Sequence, residues 1–196
     1  MVTRQRLVNL QRAILDASLE LISRRGIGAL SMREVSRRLG VTHGAPYHHF
    51  RDRGAILAAL TEEGFERLEQ ELRAAAGRAD DPREQFEALG RAYVAFAVSS
   101  PSYFRLMFRP ELAGKGKHPG IERASERAFG VLEEVVEACH AQGYGRGIPA
   151  KALALTGWTA SHGLAALCVD GQLSGESPAA LARMMSATVS KLLTVK

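Results

Sequence analysis

The chain has 196 residues, of which 46% are hydrophobic and 24% charged, with a net charge of +5. These fractions are ordinary for a soluble globular protein with room for one large domain, or for a small one and a larger one. Nothing in the sequence resembles a signal peptide, since the apolar clusters after Arg4 and Arg6 are broken by Gln11, Arg12, Asp16 and Glu20, and no run is expected to approach the roughly 18 apolar residues of a membrane span.

The charge is unevenly placed. Residues 1–53 carry ten basic groups against four acids, an excess of +6, whereas the remaining 143 residues carry 16 against 17. A basic end on a neutral body suggests a polyanion-binding module carried by something else.

In chain order, residues 1–5 are a short basic start. Leu7, Leu10, Ile14, Ala17 and Leu21 share one face of a helix from about Arg6 to Arg25, stopped by Gly26. Ile27 and Leu30 follow as seals for a small core. Ser31 can cap the next helix, with Glu34 placed for a capping box and Val35 and Leu39 on its apolar face. Gly40 can end that helix in the left-handed conformation. Thr42 can cap a further short helix through Tyr47 to about His49. Helix, tight Gly-containing turn, helix is the helix-turn-helix arrangement, whose second helix enters the DNA major groove. Phe50 closes the unit. Asp52 caps a long helix from Arg53 to about Ala76, with Ile56, Leu57, Leu60, Leu68 and Leu72 inward.

The rest reads as helical throughout, with helix starts that pair an acceptor side chain or loop with proline. Asp81–Pro82 opens a helix to about Val98, Ser100–Pro101 a short one to Arg109, Pro119 one to about Gln142, Pro149 one to about Val169, and Ser177–Pro178 the last, to about Val195. Residues 111–120 have the composition of a flexible loop. The expected fold is all-α, about nine helices, divided into a helix-turn-helix domain at 1–52 and a larger helical domain at 53–196. Cys139 and Cys168 read as reduced, buried thiols of a cytoplasmic protein.

The stretch ILDASLELISRRGIGALSMREVSRRLGVTHGAPYHHFRDRGAIL resembles the N-terminal domain of the TetR family of bacterial transcription regulators. The resemblance rests on Gly26, Ser31-Met32-Arg33-Glu34-Val35, Leu39-Gly40-Val41, Gly44, Tyr47, His49-Phe50 and Leu57. Farther on, Pro101, Tyr103 to Phe108, Trp158 and His162-Gly163-Leu164 resemble the family's WHG-type ligand-binding domain. Two positions depart from the family pattern. Ala45-Pro46 stands where a Thr-Leu-like pair is common, and Gly54 where an acid is.

By the residue types available, Thr42, His43, Gly44 and Ala45 are the candidates for base edges, and Arg33, Arg37, Tyr47, His48 and Arg53 for phosphates. The resemblance supports Tyr47, His48 and Arg53 in the phosphate role. It also implies a homodimer through the last two helices, with the small-residue face Gly157, Ala160, Ser161, Leu164, Cys168 and the face Leu181, Met184, Met185, Thr188, Leu192. An apolar effector pocket is expected from Tyr93, Phe96, Phe104, Met107, Phe108, Trp158 and His162. His43, His48 and His49 do not have metal-ligand spacing, and no metal, cofactor or catalytic constellation is expected.

The resulting expectation is a cytoplasmic, dimeric, ligand-responsive regulator, chiefly a repressor, that binds a palindromic operator in double-stranded DNA and is released by a small molecule, with no membrane partner. The alternative is a helical small-molecule-binding protein or enzyme whose basic head serves another polyanion.

Overall fold

A computed structural model describes residues 2–109 and 118–194, with side chains from Leu10 onward. The side chain of Leu7, most of the expected loop at 111–120, and Val195 lie outside the described residues. Among those described, the regular structure is entirely helical. The helices are α1 (Val2–Arg25), α2 (Met32–Leu39), α3 (Arg53–Ala76), α4 (Pro82–Ser99), α5 (Pro101–Met107), α6 (Pro119–Ala141), α7 (Ala150–Val169) and α8 (Pro178–Ser190). Short 3-10 turns cover Ile27–Ala29, Ala45–His48 and Lys191–Thr194. The chain forms two compact units, one of Met1–Gly64 with Ser102–Ile121 and the other of Phe65–Pro101 with Glu122–Lys196. Helix α3 contributes its first half to one unit and its second half to the other.

In the first unit, Ile14, Leu21, Leu30, Val35, Phe50, Ile56, Leu57 and Leu60 are buried together as the apolar spacing requires. Full burial of each aliphatic group contributes about 1.5–3 kcal/mol. The ends of α2 and the start of α3 follow from three residues. Ser31 Oγ accepts from the Glu34 N–H at 3.2 Å, Gly40 ends the helix at φ 65°, and the Asp52 carboxylate accepts from the Ala55 N–H at 2.8 Å to start α3. Helix α1 begins at Val2 rather than Arg6, since residues 2–5 contain no glycine or proline to stop it.

In the second unit, Asp81 Oδ1 accepts from the N–H groups of Arg83 (2.7 Å) and Glu84 (3.4 Å), and Ser177 Oγ from that of Ala180 (3.3 Å). Pro149 precedes α7 instead of being its first residue. Its ψ of 138° is extended, and its carbonyl accepts the first helical bonds, from Ala152 and Leu153. The last helix tightens into a 3-10 turn after Ser190. Helices α4, α7 and α8 pack on one another through small residues. A methyl group on Gly157 would lie 2.8 Å from the Phe86 ring, and one on Gly90 would lie 2.7 Å from Ser186 Oγ and 3.3 Å from Ser161 Oγ.

Candidate nucleic-acid interface and effector site

The segment after Gly40 is shorter than its sequence suggests. The expected helix capped by Thr42 is a single 3-10 turn, Ala45–His48, entered through Gly44, and no side chain caps it. The reason is Pro46. In an α-helix capped by Thr42, the residue at 46 would supply the first N–H to the Thr42 carbonyl, and proline has none. The Thr42 carbonyl takes its bond from Ala45 N–H at 3.0 Å instead, Gly44 accepts from Tyr47 (3.1 Å), and Pro46 accepts from His49 (3.0 Å) and Phe50 (2.9 Å). Every closure but the last is three residues long, which is 3-10 geometry. Pro46 itself is buried and pins the turn to the core.

This turn leaves its neighbours outward. Thr42, His43, Gly44, Tyr47 and His48 are exposed and Ala45 is half-buried. The His43 and Tyr47 rings meet edge to face, centroids 5.8 Å apart, so each restrains the other. Arg33, Ser36, Arg37, Val41 and His43 line an open groove of about 360 Å³ beside the turn. Arg33 is exposed and, among the described residues, makes no ion pair. Arg37 donates to Glu34 at 2.6 and 3.0 Å. That bond, with the charges of Arg37, Arg25 and Arg38, holds the Glu34 carboxyl below its usual range. Arg38 pairs with Glu20, as does Arg24. Arg53 is half-buried and donates from Nη2 to the Ile27 carbonyl at 2.7 Å, which ties the 3-10 turn after α1 to the start of α3. Part of the phosphate candidate's charge is therefore spent on the fold of the head.

The seven effector candidates divide between the two units. Phe104, Met107 and Phe108 belong to the first, where the Phe104 and Phe108 rings lie 5.4 Å apart. Tyr93, Phe96, Trp158 and His162 belong to the second. There the Tyr93 hydroxyl lies 2.9 Å from His162 Nδ1, and the Trp158 ring sits 6.0 Å from His162. Phe129, which the sequence reading did not include, meets Trp158 edge to face at 5.7 Å. Its signal was available, because an aromatic residue on the apolar face of α6 precedes Val136 by seven positions. Burial pushes the Tyr93 phenol well above its usual range and lowers the His162 imidazole, so both are neutral near pH 7.

Part of the face of α7 expected to receive a partner helix is used inside the unit, while Ala160, Leu164 and Cys168 stay half-buried. Gly157 and Ser161 are buried, with Ala154 and Ala165 on the same side. The face left outward carries Ala152, Leu155, Thr156, Thr159, Gly163 and Leu167. These recur at helical spacing and include no charge. Leu155 is 40% and Leu167 45% exposed. Among the described helices, α7 is the one long and apolar enough to cross a membrane, with a mean hydropathy of 1.3, yet only 28% of that stretch is buried. On α8 the exposed apolar position is Met184, with Thr188 one turn on.

Comparison with known proteins places these features. Residues 14–60 match the family described as bacterial regulatory proteins, tetR family, and residues 86–192 match the tetracyclin repressor-like C-terminal domain. The HTH-type transcriptional regulator AcrR of Shigella flexneri is 35% identical over 75 residues, 37% of this chain and 35% of that one. The chain spans about a third to a half of the length of the curated relatives it matches. A protein of unknown function from Rhodococcus sp. RHA1 has a structure 31% identical to this chain, with a TM-score of 0.85 over 94% of this chain and 95% of that one. The fold is also that of AibR, solved in complex with isovaleryl coenzyme A and operator DNA, at 19% identity and a TM-score of 0.71 over 93% of this chain and 97% of that one.

Proposed function

This chain belongs to the TetR family and is a transcription regulator rather than an enzyme; on that premise we propose that it is a dimeric, ligand-responsive repressor of a palindromic operator. The head at 1–52 would bind double-stranded DNA and the body at 53–196 would bind a small-molecule effector and a second copy of the chain. Thr42, His43, Gly44 and Ala45 meet base edges, while Arg33, Tyr47, His48 and Arg53 contact phosphates. The observation that carries the reading is the set of exposed basic and hydrogen-bonding side chains around one 3-10 turn, in the quarter of the chain that holds all the excess positive charge.

A turn this short offers few base contacts, so discrimination leans on DNA shape and on having two copies. The uncharged outward face of α7, with Met184 and Thr188 of α8, is the surface that supplies the second copy. Of the effector candidates, Tyr93, Phe96, Trp158 and His162 share the second unit and hold the effector there. Helix α3, shared by both units, carries the response to the head, and a tenfold shift in operator occupancy needs about 1.4 kcal/mol of differential effector affinity. The site of action is the cytoplasm.

The test is substitution of Arg33→Ala and Tyr47→Ala. Each lowers operator affinity about tenfold or more, the scale of losing a charge-assisted hydrogen bond, with the helical content and the sedimentation coefficient unchanged. Unchanged DNA binding contradicts the interface assignment.

A further inference from the structure

By its spacing from Ser31, Glu34 is the acid of a capping box, whose carboxylate should reach back to the Ser31 N–H. Only half of that box forms. Ser31 Oγ accepts from the Glu34 N–H, whereas among the described residues the Glu34 carboxylate takes its hydrogen bonds from two arginines. Arg37 reaches it as a fork, with Nε donating to Oε2 at 3.0 Å and Nη2 to Oε1 at 2.6 Å. Arg25 of α1 adds a bond from Nη1 to Oε1 at 3.2 Å. A lone exposed ion pair contributes little, but a two-bonded guanidinium fork within a network of three charges is the stronger kind. The Glu34 side chain is only 21% exposed, which limits the water that competes for it.

Arg33 and Arg37 line the same groove beside the turn Ala45–His48. Among the described residues Arg33 makes no ion pair, so it offers its whole charge to a phosphate. Arg37 offers its charge only if the fork opens. When it opens, the carboxylate stays beside the groove and repels the same phosphate. Held or released, Glu34 subtracts from the attraction. Glu20 pairs with Arg24 and Arg38 in a similar way, but neither of those arginines lines the groove.

We propose that Glu34 is a restraining residue of the DNA interface: by occupying Arg37 and Arg25 it limits the number of backbone phosphates the head can hold, and it leaves Arg33 as the phosphate cation of the groove. Glu34 acts through those arginines and is a positioning residue, not a DNA contact. Its role rests on the DNA-binding reading above and specifies which cations carry it.

The salt dependence of binding to a random-sequence duplex, measured on the full chain, tests this. Each phosphate contact contributes about −0.9 to the log–log slope. Arg33→Gln should make the slope shallower by about that amount per head, and Arg37→Gln should change it by less than about a third of that. Glu34→Gln keeps the backbone N–H that Ser31 caps. It should steepen the slope by about 0.9 or more per head and raise affinity about tenfold near 0.1 M salt. Combining it with Arg37→Gln should take back at least about half of the steepening, the rest belonging to Arg25. A merely structural role for Glu34 would instead lower affinity without steepening the slope. A parental slope or weaker binding in Glu34→Gln overturns the proposal, and so does Arg37→Gln flattening the slope as much as Arg33→Gln. Should Glu34→Gln lose its helical circular dichroism, the comparison of Arg33→Gln with Arg37→Gln decides alone. The parent chain separates the two readings. If it binds duplex with a steep slope while these differences are absent, only the role of Glu34 is wrong; if it does not bind duplex, the regulator reading fails and this one with it.

Discussion

Two surfaces of this protein face solvent with opposite chemistry. Around the turn Ala45–His48 the exposed groups are basic and hydrogen-bonding, and little apolar area accompanies them apart from the Tyr47 ring, 49% exposed. Along the outward side of α7 the exposed groups are aliphatic or small, without a charge from Ala152 to Leu167. The first surface suits a polyanion, whose attraction is screened by salt. The second suits another apolar surface, whose attraction salt does not weaken. In the proposed dimer the two surfaces combine: a weak, short reading element would become specific because α7 brings a second copy.

The largest effect is expected from charge placed on the apolar side. The pair Leu155→Glu and Leu167→Glu puts carboxylates where a second copy is proposed to sit, at a cost of several kcal/mol if they stay unpaired. Sedimentation velocity should then show a monomer with native circular dichroism, and operator affinity should fall about 100-fold or more, since half the reading elements are lost with the dimer. A variant that still dimerises refutes the assignment of that face. A smaller effect separates the inner side of α7 from the outer. Gly157→Val drives a methyl group into the Phe86 ring and should lower unfolding stability by about 1–3 kcal/mol in urea. Because it leaves the outward residues alone, the folded variant should still self-associate. The mildest test lies at the head. Ser31→Ala removes the cap on α2 and should cost about 1 kcal/mol, read as a lower melting temperature with the salt dependence of DNA binding preserved.

The two surfaces also differ in how far the sequence disclosed them. The caps Ser31, Gly40, Asp52, Asp81 and Ser177 behave as their local chemistry dictates, because each depends on residues within a turn of itself. The apolar faces of α1 and α3 were equally legible, since Ile14, Leu21, Ile56, Leu57 and Leu60 follow helical spacing into one core. The turn Ala45–His48 lies within the expected helix but is much shorter, because the consequence of Pro46 depends on which carbonyl lacks its donor, a matter of one residue in register. On α7, two of the five residues expected to face a partner helix, Gly157 and Ser161, turn inward, and for a different reason. An almost uniformly apolar helix has no polar face to mark which side is out. Small residues suit close packing in either direction, and only the arrangement of Phe86, Gly90 and Ser186 decided that Gly157 and Ser161 turn inward. Burial of that kind comes from the tertiary fold, not from periodicity.

In the proposed regulator a salt-sensitive reading surface is doubled by a salt-insensitive one. The most direct measurement selects duplexes bound by the full chain from a random-sequence pool, then titrates the enriched site at increasing salt while following sedimentation of the free protein. The expected site is an inverted repeat with half-sites about one helical turn apart. The expected log–log affinity slope is about −4 or steeper for several charged phosphate contacts, with a dimer that persists across the same range of salt. An enriched site without two-fold symmetry, a nearly flat slope, or a dimer that dissociates as salt rises would contradict it.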